Sequence, residues 1–332
     1  MSYKQDAMRK LAKKISRSYK RLLPYTHVLK ELRWELKYLK FRSRRNEGQR
    51  IGVMRVDGRG YHGGLTDRFK GAVSWWNYCE RNGLDFRIHY VYPFNLTDYV
   101  VPNEYDWRIY EKDIPDGLGD TRIFYGRGEK GHRLEKLRTN KNIWYYGNMD
   151  LGDTLNYPPY SRPWGEIFKK LFKPSELVER HLNKCREEIG GEYVAVVYRF
   201  QNLLGDFNEY LYKTISVESE RQQLINRALE ELDKIHEENL GMRLLVTADS
   251  SSFLAEAARK SYVYVIPGKV EHMDFTDTDT KHTQLKSFLD FFMISKARKV
   301  YSVVIGDMYW SQFPQYAAKI NDVPFIRRVY KE

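Results

Sequence analysis

The chain has 332 residues, 42% hydrophobic and 15% aromatic, which excludes a disordered protein, and its formal net charge is +12. Residues 1–50 hold 16 Lys+Arg against 4 Asp+Glu, so the whole excess lies in this segment and the rest of the chain is neutral. Two cysteines, Cys79 and Cys185, cannot build a disulfide framework or a four-thiolate zinc site and read as reduced thiols of a cytosolic protein. No run of 18 apolar residues exists, so no membrane-spanning helix is expected, and the N-terminus lacks the apolar core of a secretory signal.

Residues 4–23, projected at about 100° per residue, place Met8, Leu11, Ala12, Ile15, Tyr19, Leu22 and Leu23 on one side. Arg9, Lys10, Lys13, Lys14, Arg17, Lys20 and Arg21 fall opposite. Pro24 interrupts this pattern, and a second one follows with Leu29, Leu32, Leu36 and Leu39 between Arg33, Lys37 and Lys40. Arg42, Arg44, Arg45 and Gly48 read as a linker. Three readings compete: a helix on an anionic membrane surface, a helix packed on the body, and a nucleic-acid arm. The unbroken apolar face argues against nucleic acid, so residues 1–46 carry the expectation of a membrane surface.

The body alternates strand and helix signals. Ile51–Asp57 is a β-branched run closed by the glycine-rich turn Gly58–Gly64, and a helix is predicted from about Leu65 to Arg81. Phe86–Tyr92 reads as the next strand, residues 95–150 are aromatic and irregular, and Ile143–Tyr146 reads as a strand. Helices follow at Trp164–Phe172 and Glu176–Glu188, the second opened by Pro174 and Ser175, and Gly190–Gly191 marks a junction. Tyr193–Arg199 is a continuous apolar strand of the kind buried on both faces of a parallel sheet. Then come helix Val217–Glu238 with Ser216 as its predicted N-cap, strand Arg243–Ala248, helix Ser250–Lys260, strand Tyr262–Ile266, helix Lys281–Ala297 and strand Val300–Ile305. Phe313, Tyr316, Ala317 and Ile320 share a helical face before a last strand at Phe325–Val329. This order predicts α/β units with doubly wound parallel sheets, whose ligands bind beyond the carboxyl ends of the strands.

Four strand ends carry candidate chemistry. After the first strand, Asp57-Gly-Arg-Gly-Tyr-His-Gly-Gly-Leu-Thr-Asp-Arg68 supplies glycines for close approach, yet matches neither GxGxxG nor a P-loop. Arg199 ends an apolar strand, where its guanidinium either faces a phosphate or pairs with a carboxylate such as Asp206 or Glu209. Asp249 either contacts a base or ribose or caps the next helix. Ser311 and neighbouring amides precede a helix start suited to phosphate.

In order and spacing, these segments resemble the GT-B fucosyltransferases, including the nodulation α1,6-fucosyltransferases and the protein O-fucosyltransferases. The resemblance runs over about residues 50–330. It rests on Gly63-Gly64-Leu65-Thr66-Asp67-Arg68, on Val197-Tyr198-Arg199 with valine where the family carries histidine, on Thr247-Ala248-Asp249, and on Ser311-Gln312-Phe313 with Ala317 and Ala318. It implies two Rossmann-like domains facing across a cleft, an acceptor-side domain at 49–173 and a donor-nucleotide domain at 174–332; the basic helical arm at 1–48 is not part of the resemblance. It further implies metal-independent inverting transfer, most simply of fucose from GDP-fucose to a surface or lipid-linked glycan, with no cofactor. Arg199 would bind the diphosphate and stabilise the leaving group, Asp249 would contact the base, and Ser311, Gln312 and Phe313 would line the nucleotide. The loop with Asp57, His62, Gly63, Gly64 and Arg68 would face the acceptor, and Asp67, Asp57 and His62 are candidate bases.

Asp277-Thr-Asp279 looks like a DxD metal site but lies in the polar stretch 271–282, near His272, Asp274 and His282, without zinc-ligand spacing, and reads as a surface loop. Another nucleotide sugar, a catalytically inactive glycan- or nucleotide-binding module, and a membrane-recruited scaffold are the alternatives. The expected location is cytoplasmic, peripheral at the inner face of the membrane.

Overall fold

The computed structural model describes residues 28–41, 48–126, 134, 137, 139–152, 158–206, 213–268 and 284–331. The predicted arm at 4–23, Glu209 and the whole 271–282 stretch lie outside the described residues.

Two parallel sheets form the body. In the first, β1 (Ile51–Val56) lies between β2 (Asp85–Tyr90) and β5 (Asn142–Gly147), with β4 (Thr121–Gly126) at the edge beyond β5. In the second, β7 (Tyr193–Tyr198) is central. On one side follow β8 (Arg243–Thr247) and β9 (Val263–Tyr264), on the other β10 (Lys299–Ile305) and β11 (Phe325–Tyr330). Strand order therefore reverses between β7 and β10, which makes their carboxyl ends the place for a ligand. A short antiparallel pair, β3 (Val100–Pro102) with β6 (Phe172–Pro174), closes the aromatic middle.

Alternation along the strands separates the faces. Tyr193, Ala195 and Val197 of β7 point into a core shared by both sheets, while Val194, Val196 and Tyr198 face a second core. The shared core is built by helices α2 (Leu65–Asn82), α3 (Trp164–Leu171), α4 (Glu176–Ile189), α7 (Leu285–Ile294) and α8 (Phe313–Lys319). The second core lies under α5 (Glu218–Glu237) and α6 (Ser251–Ala257). Phe69 of α2 stacks on Phe291 of α7 at 5.5 Å, and Tyr99 stacks on Phe288 at 4.6 Å, so aromatic rings join the two units. Gly165 makes the closest approach: a Cβ there would sit 2.0 Å from the Lys319 carbonyl oxygen, so only glycine lets α3 reach the end of α8.

Most predicted elements appear with ends shifted by a few residues. Three differences have physical causes. β4 falls in the aromatic, irregular stretch 95–150, where its short TRIFYG sequence, with Phe124 and Tyr125 adjacent, shows no clean alternation. Ser216 is not the cap of α5; Val217 is, and no side chain caps that end. The strand predicted at Tyr262–Ile266 shortens to two residues, since it is an edge strand paired only with β8. The N-cap at Ser175 is present, with Val178 N donating to its hydroxyl at 3.3 Å.

Helix α1 (28–38) lies along the exposed edge of β4. Glu35 accepts from the Ile123 amide at 3.0 Å and from Arg122 Nε at 2.7 Å, and Glu31 accepts from the Tyr125 amide at 3.2 Å. Two carboxylates one helical turn apart thus take the outward amides that a further strand would have paired. Glu35→Ala is expected to cost about 1–3 kcal/mol by orphaning the buried Ile123 amide, read as a lowered urea midpoint. Among the described residues, no helix is long and apolar enough to cross a membrane.

Candidate functional site

The carboxyl end of β7 turns sharply into Arg199, Phe200 and Gln201, with Gln201 at φ +53°. Asp249, beyond the end of β8, holds this turn. Its carboxylate accepts from the Phe200 amide at 2.8 Å, from the Gln201 amide at 2.7 Å and from Arg199 at 3.1 Å. Its side chain is 1% exposed and that of Arg199 is 20% exposed, so the pair is rooted in the protein and opens to solvent on the arginine side. Burial pushes the Asp249 carboxyl above the ordinary carboxylate value, and Arg199 with the two amides pulls against that.

Asp206, one of the two carboxylates suggested for Arg199, instead accepts from Ser250 Oγ, from the Ser252 amide and from Ser252 Oγ at 2.8–3.0 Å, at the start of α6. Ser250 itself is the N-cap, accepting from the Phe253 amide at 3.2 Å. Capping therefore falls to Ser250 and Asp206, and Asp249 is committed to the Arg199 turn.

The turn after β10 comes to the same place. The Tyr309 amide donates to the Arg199 carbonyl at 3.0 Å. Ser311 Oγ accepts from the Phe313 amide at 3.2 Å, and its carbonyl accepts from Arg327 at 3.0 Å. Phe313 is half-buried against Phe291, at 5.2 Å between rings. Arg199, Asp249, Ser311, Gln312 and Phe313 are thus gathered at the reversal point of the second sheet.

The loop after β1 divides into two groups. Asp57 accepts from Arg55 at 3.1 Å, from the Tyr146 hydroxyl at 2.9 Å and from the Arg59 amide at 3.2 Å. His62 is buried and its Nε2 accepts from the Gly58 amide at 3.2 Å. Burial, reinforced by Arg68, lowers its pKa to about 4. The folded protein therefore keeps His62 neutral while the unfolded chain protonates near 6.5. Between these values the unfolded state binds more protons, so stability falls as pH drops from about 6.5 to about 4, by at most about 3 kcal/mol. His62→Gln should flatten that slope in urea titrations across this range.

Gly63 and Arg68 shape the other end of the loop. Gly63 sits at φ +74°, and a Cβ there would lie 2.6 Å from the Asp67 carboxylate. Arg68 is buried, donating to the Gly63 carbonyl at 2.9 Å, to the Tyr90 hydroxyl at 2.6 Å and to the Tyr92 carbonyl at 2.7 Å. Gly64 is the N-cap of α2.

One residue that the strand-end reasoning passed over links the two units. Lys70 is buried, and its Nζ lies 2.6 Å from Asp67 Oδ1 while donating to Gln312 Oε1 at 2.7 Å. The i, i+3 spacing from Asp67 was its only sequence signal. Asp150 makes a parallel connection, accepting from the Tyr160 hydroxyl and from the Tyr316 hydroxyl of α8. Among the described residues, no group of three His, Cys, Asp or Glu side chains is placed to hold a metal ion.

The fold is GT-B, as in the solved fucosyltransferases to which it is similar. A structure of NodZ α-1,6-fucosyltransferase soaked with GDP-fucose matches with a TM-score of 0.56 at 13% identity, over 84% of this chain and 95% of that one. Fucosyltransferase NodZ from Bradyrhizobium matches with a TM-score of 0.53 at 13% identity, over 84% and 96%. Arabidopsis thaliana FUT1, as a variant in complex with GDP, matches with a TM-score of 0.53 at 12% identity, over 97% and 79%. No protein-family profile matches the chain. No curated protein sequence matches it either.

Proposed function

We propose that the chain is a metal-independent inverting glycosyltransferase that transfers fucose from GDP-fucose to a surface or lipid-linked glycan. The observation that carries this reading is Arg199, fixed by Asp249 at the strand-order reversal and tied to the turn that bears Ser311. Residues 174–332 would form the donor unit and 49–173 the acceptor side. The guanidinium, anchored by Asp249 and partly exposed, would meet the diphosphate and stabilise the negative charge that grows on it as the glycosidic bond breaks. Such a group gives most when it is already oriented, and Asp249 supplies that orientation through the backbone as well as the side chain. Asp249 thereby acts as a positioning residue, and nucleotide contacts fall to Ser311, Gln312 and Phe313.

The acceptor hydroxyl needs a base. Asp57 is enclosed by Arg55, Arg59 and Tyr146, and the His62 nitrogen lone pair is engaged by the Gly58 amide. Asp67 is 37% exposed at its side chain and is steadied by Lys70, so it takes that role in this proposal. The Lys70–Gln312 bond would then set the distance between base and donor.

A transferase for another nucleotide sugar is the second reading. It is favoured by Val197, a buried apolar side chain where the resembling family carries histidine. Calorimetry with GDP, GDP-fucose, UDP and UDP-sugars separates the readings. Binding of GDP and GDP-fucose is expected. UDP binding without GDP reassigns the donor, and no nucleotide binding at all removes the enzyme reading in favour of a binding module.

A further inference from the structure

Helix α1 packs with its two carboxylates and two aromatic rings inward. Glu31 and Glu35 are buried against β4, Trp34 meets Tyr125 and Tyr146 at 5.1 and 5.0 Å, and Tyr38 lies under Arg59 at 4.9 Å. The leucines that sequence periodicity groups together are split by this orientation. Leu39 enters the core, while Leu29, Leu32 and Leu36 are 63%, 47% and 51% exposed, with Val28 exposed beside them and Phe41 beyond the helix end. Arg33 and Lys37 are exposed along one border of this stripe, and Lys30 is exposed with its Nζ over the Tyr125 ring at 3.8 Å.

We propose that the outward face of α1 docks on an anionic bilayer surface. Leu29, Leu32 and Leu36 would enter the boundary between headgroups and acyl chains, and Arg33 and Lys37 would meet lipid phosphates. Charge complementarity selects this occupant. The partner must be apolar at the centre and anionic around it, and the 27 residues directly before α1 add eight Lys+Arg against one acidic residue. A second copy of the chain would bring the same cationic border against itself. The inner face of the helix reaches the loop after β1, because Trp34 lies against Gly60 and Tyr146 donates to Asp57. Docking would therefore fix that loop relative to the bilayer. This orientation has meaning for an acceptor only on the reading above, whereas the docking itself does not depend on it.

The test uses the full chain and vesicles of phosphatidylcholine, alone or with about a third phosphatidylglycerol. Co-sedimentation should favour the anionic vesicles by at least about tenfold. The triple variant Leu29→Glu, Leu32→Glu, Leu36→Glu should lose at least about tenfold of that partitioning with unchanged circular dichroism and melting, because all three side chains are solvent-facing. A fluorophore on Leu36→Cys should shift to the blue with anionic vesicles, the native Cys79 and Cys185 being buried. Undiminished partitioning of the triple variant overturns the proposal, as does equal binding to neutral vesicles. So does a dimer that the triple variant abolishes in a chain that ignores vesicles, which would assign the face to a second copy. A cross-link between Ile15→Cys and Leu36→Cys in a chain that does not partition would assign it to residues 4–23 and overturn it equally.

Discussion

Arg199→Ala is expected to lower kcat/KM for the sugar-nucleotide donor by about 10²–10³-fold while the protein stays folded. The guanidinium is a charged group at the reversal point of the second sheet that is both anchored and partly exposed. Its removal leaves Asp249 with the Phe200 and Gln201 amides, so the carboxylate keeps two of its three donors. The stability loss should therefore stay near 1–2 kcal/mol, below that of a fully buried pair broken on one side. Donor hydrolysis or transfer assays, with urea unfolding in parallel, check both numbers. An unchanged rate together with the stability loss would show that the Arg199–Asp249 pair is structural only.

Asp249→Asn should have the opposite balance. The amide group presents N–H donors where the carboxylate accepted from Phe200, Gln201 and Arg199, so at least one buried donor faces another. A cost of about 2–4 kcal/mol follows from an unpaired buried polar group beside an uncompensated cation. Because Asp249 also holds the backbone that orients Arg199, donor turnover should fall as well. The double variant Arg199→Ala, Asp249→Asn should then lose much less activity than the product of the single losses. Independent, multiplying losses would mean that Asp249 touches the donor directly rather than through Arg199.

These two expectations come from one contact that the sequence suggested only in outline. Arg199 at the end of an apolar strand announces a buried cation that needs a partner. Which carboxylate answers depends on the parallel pairing of β7 with β8, which brings a residue fifty positions away alongside. Asp206, nearer in the chain, is drawn instead to Ser250 and Ser252. Proximity in sequence points to Asp206, whereas the strand-end positions of Arg199 and Asp249 bring those two together. Lys70 carries no strand-end signal for a related reason. On a helix it reads as an ordinary solvated lysine, and its buried bond to Gln312 exists only because the two units pack together.

Helix α1 shows the same division from another side. Its amphipathic pattern was legible, but periodicity identifies an apolar stripe without stating what covers it. The unpaired amides of edge strand β4 draw Glu31 and Glu35 inward, and the leucines are left outside.

Legible in the amino-acid order alone are the alternation of strands and helices, the glycine-rich turn after β1, the polar residues at strand ends and the confinement of excess charge to residues 1–50. These are local properties, set by side-chain period, backbone preference and composition. It takes the packed chain to show that Asp249 and not Asp206 holds Arg199, that Lys70 bridges Asp67 to Gln312, and that α1 turns its carboxylates inward. Each of these is a competition among several polar partners for a few buried donors and acceptors, and strand order and packing between elements settle which partner comes within reach.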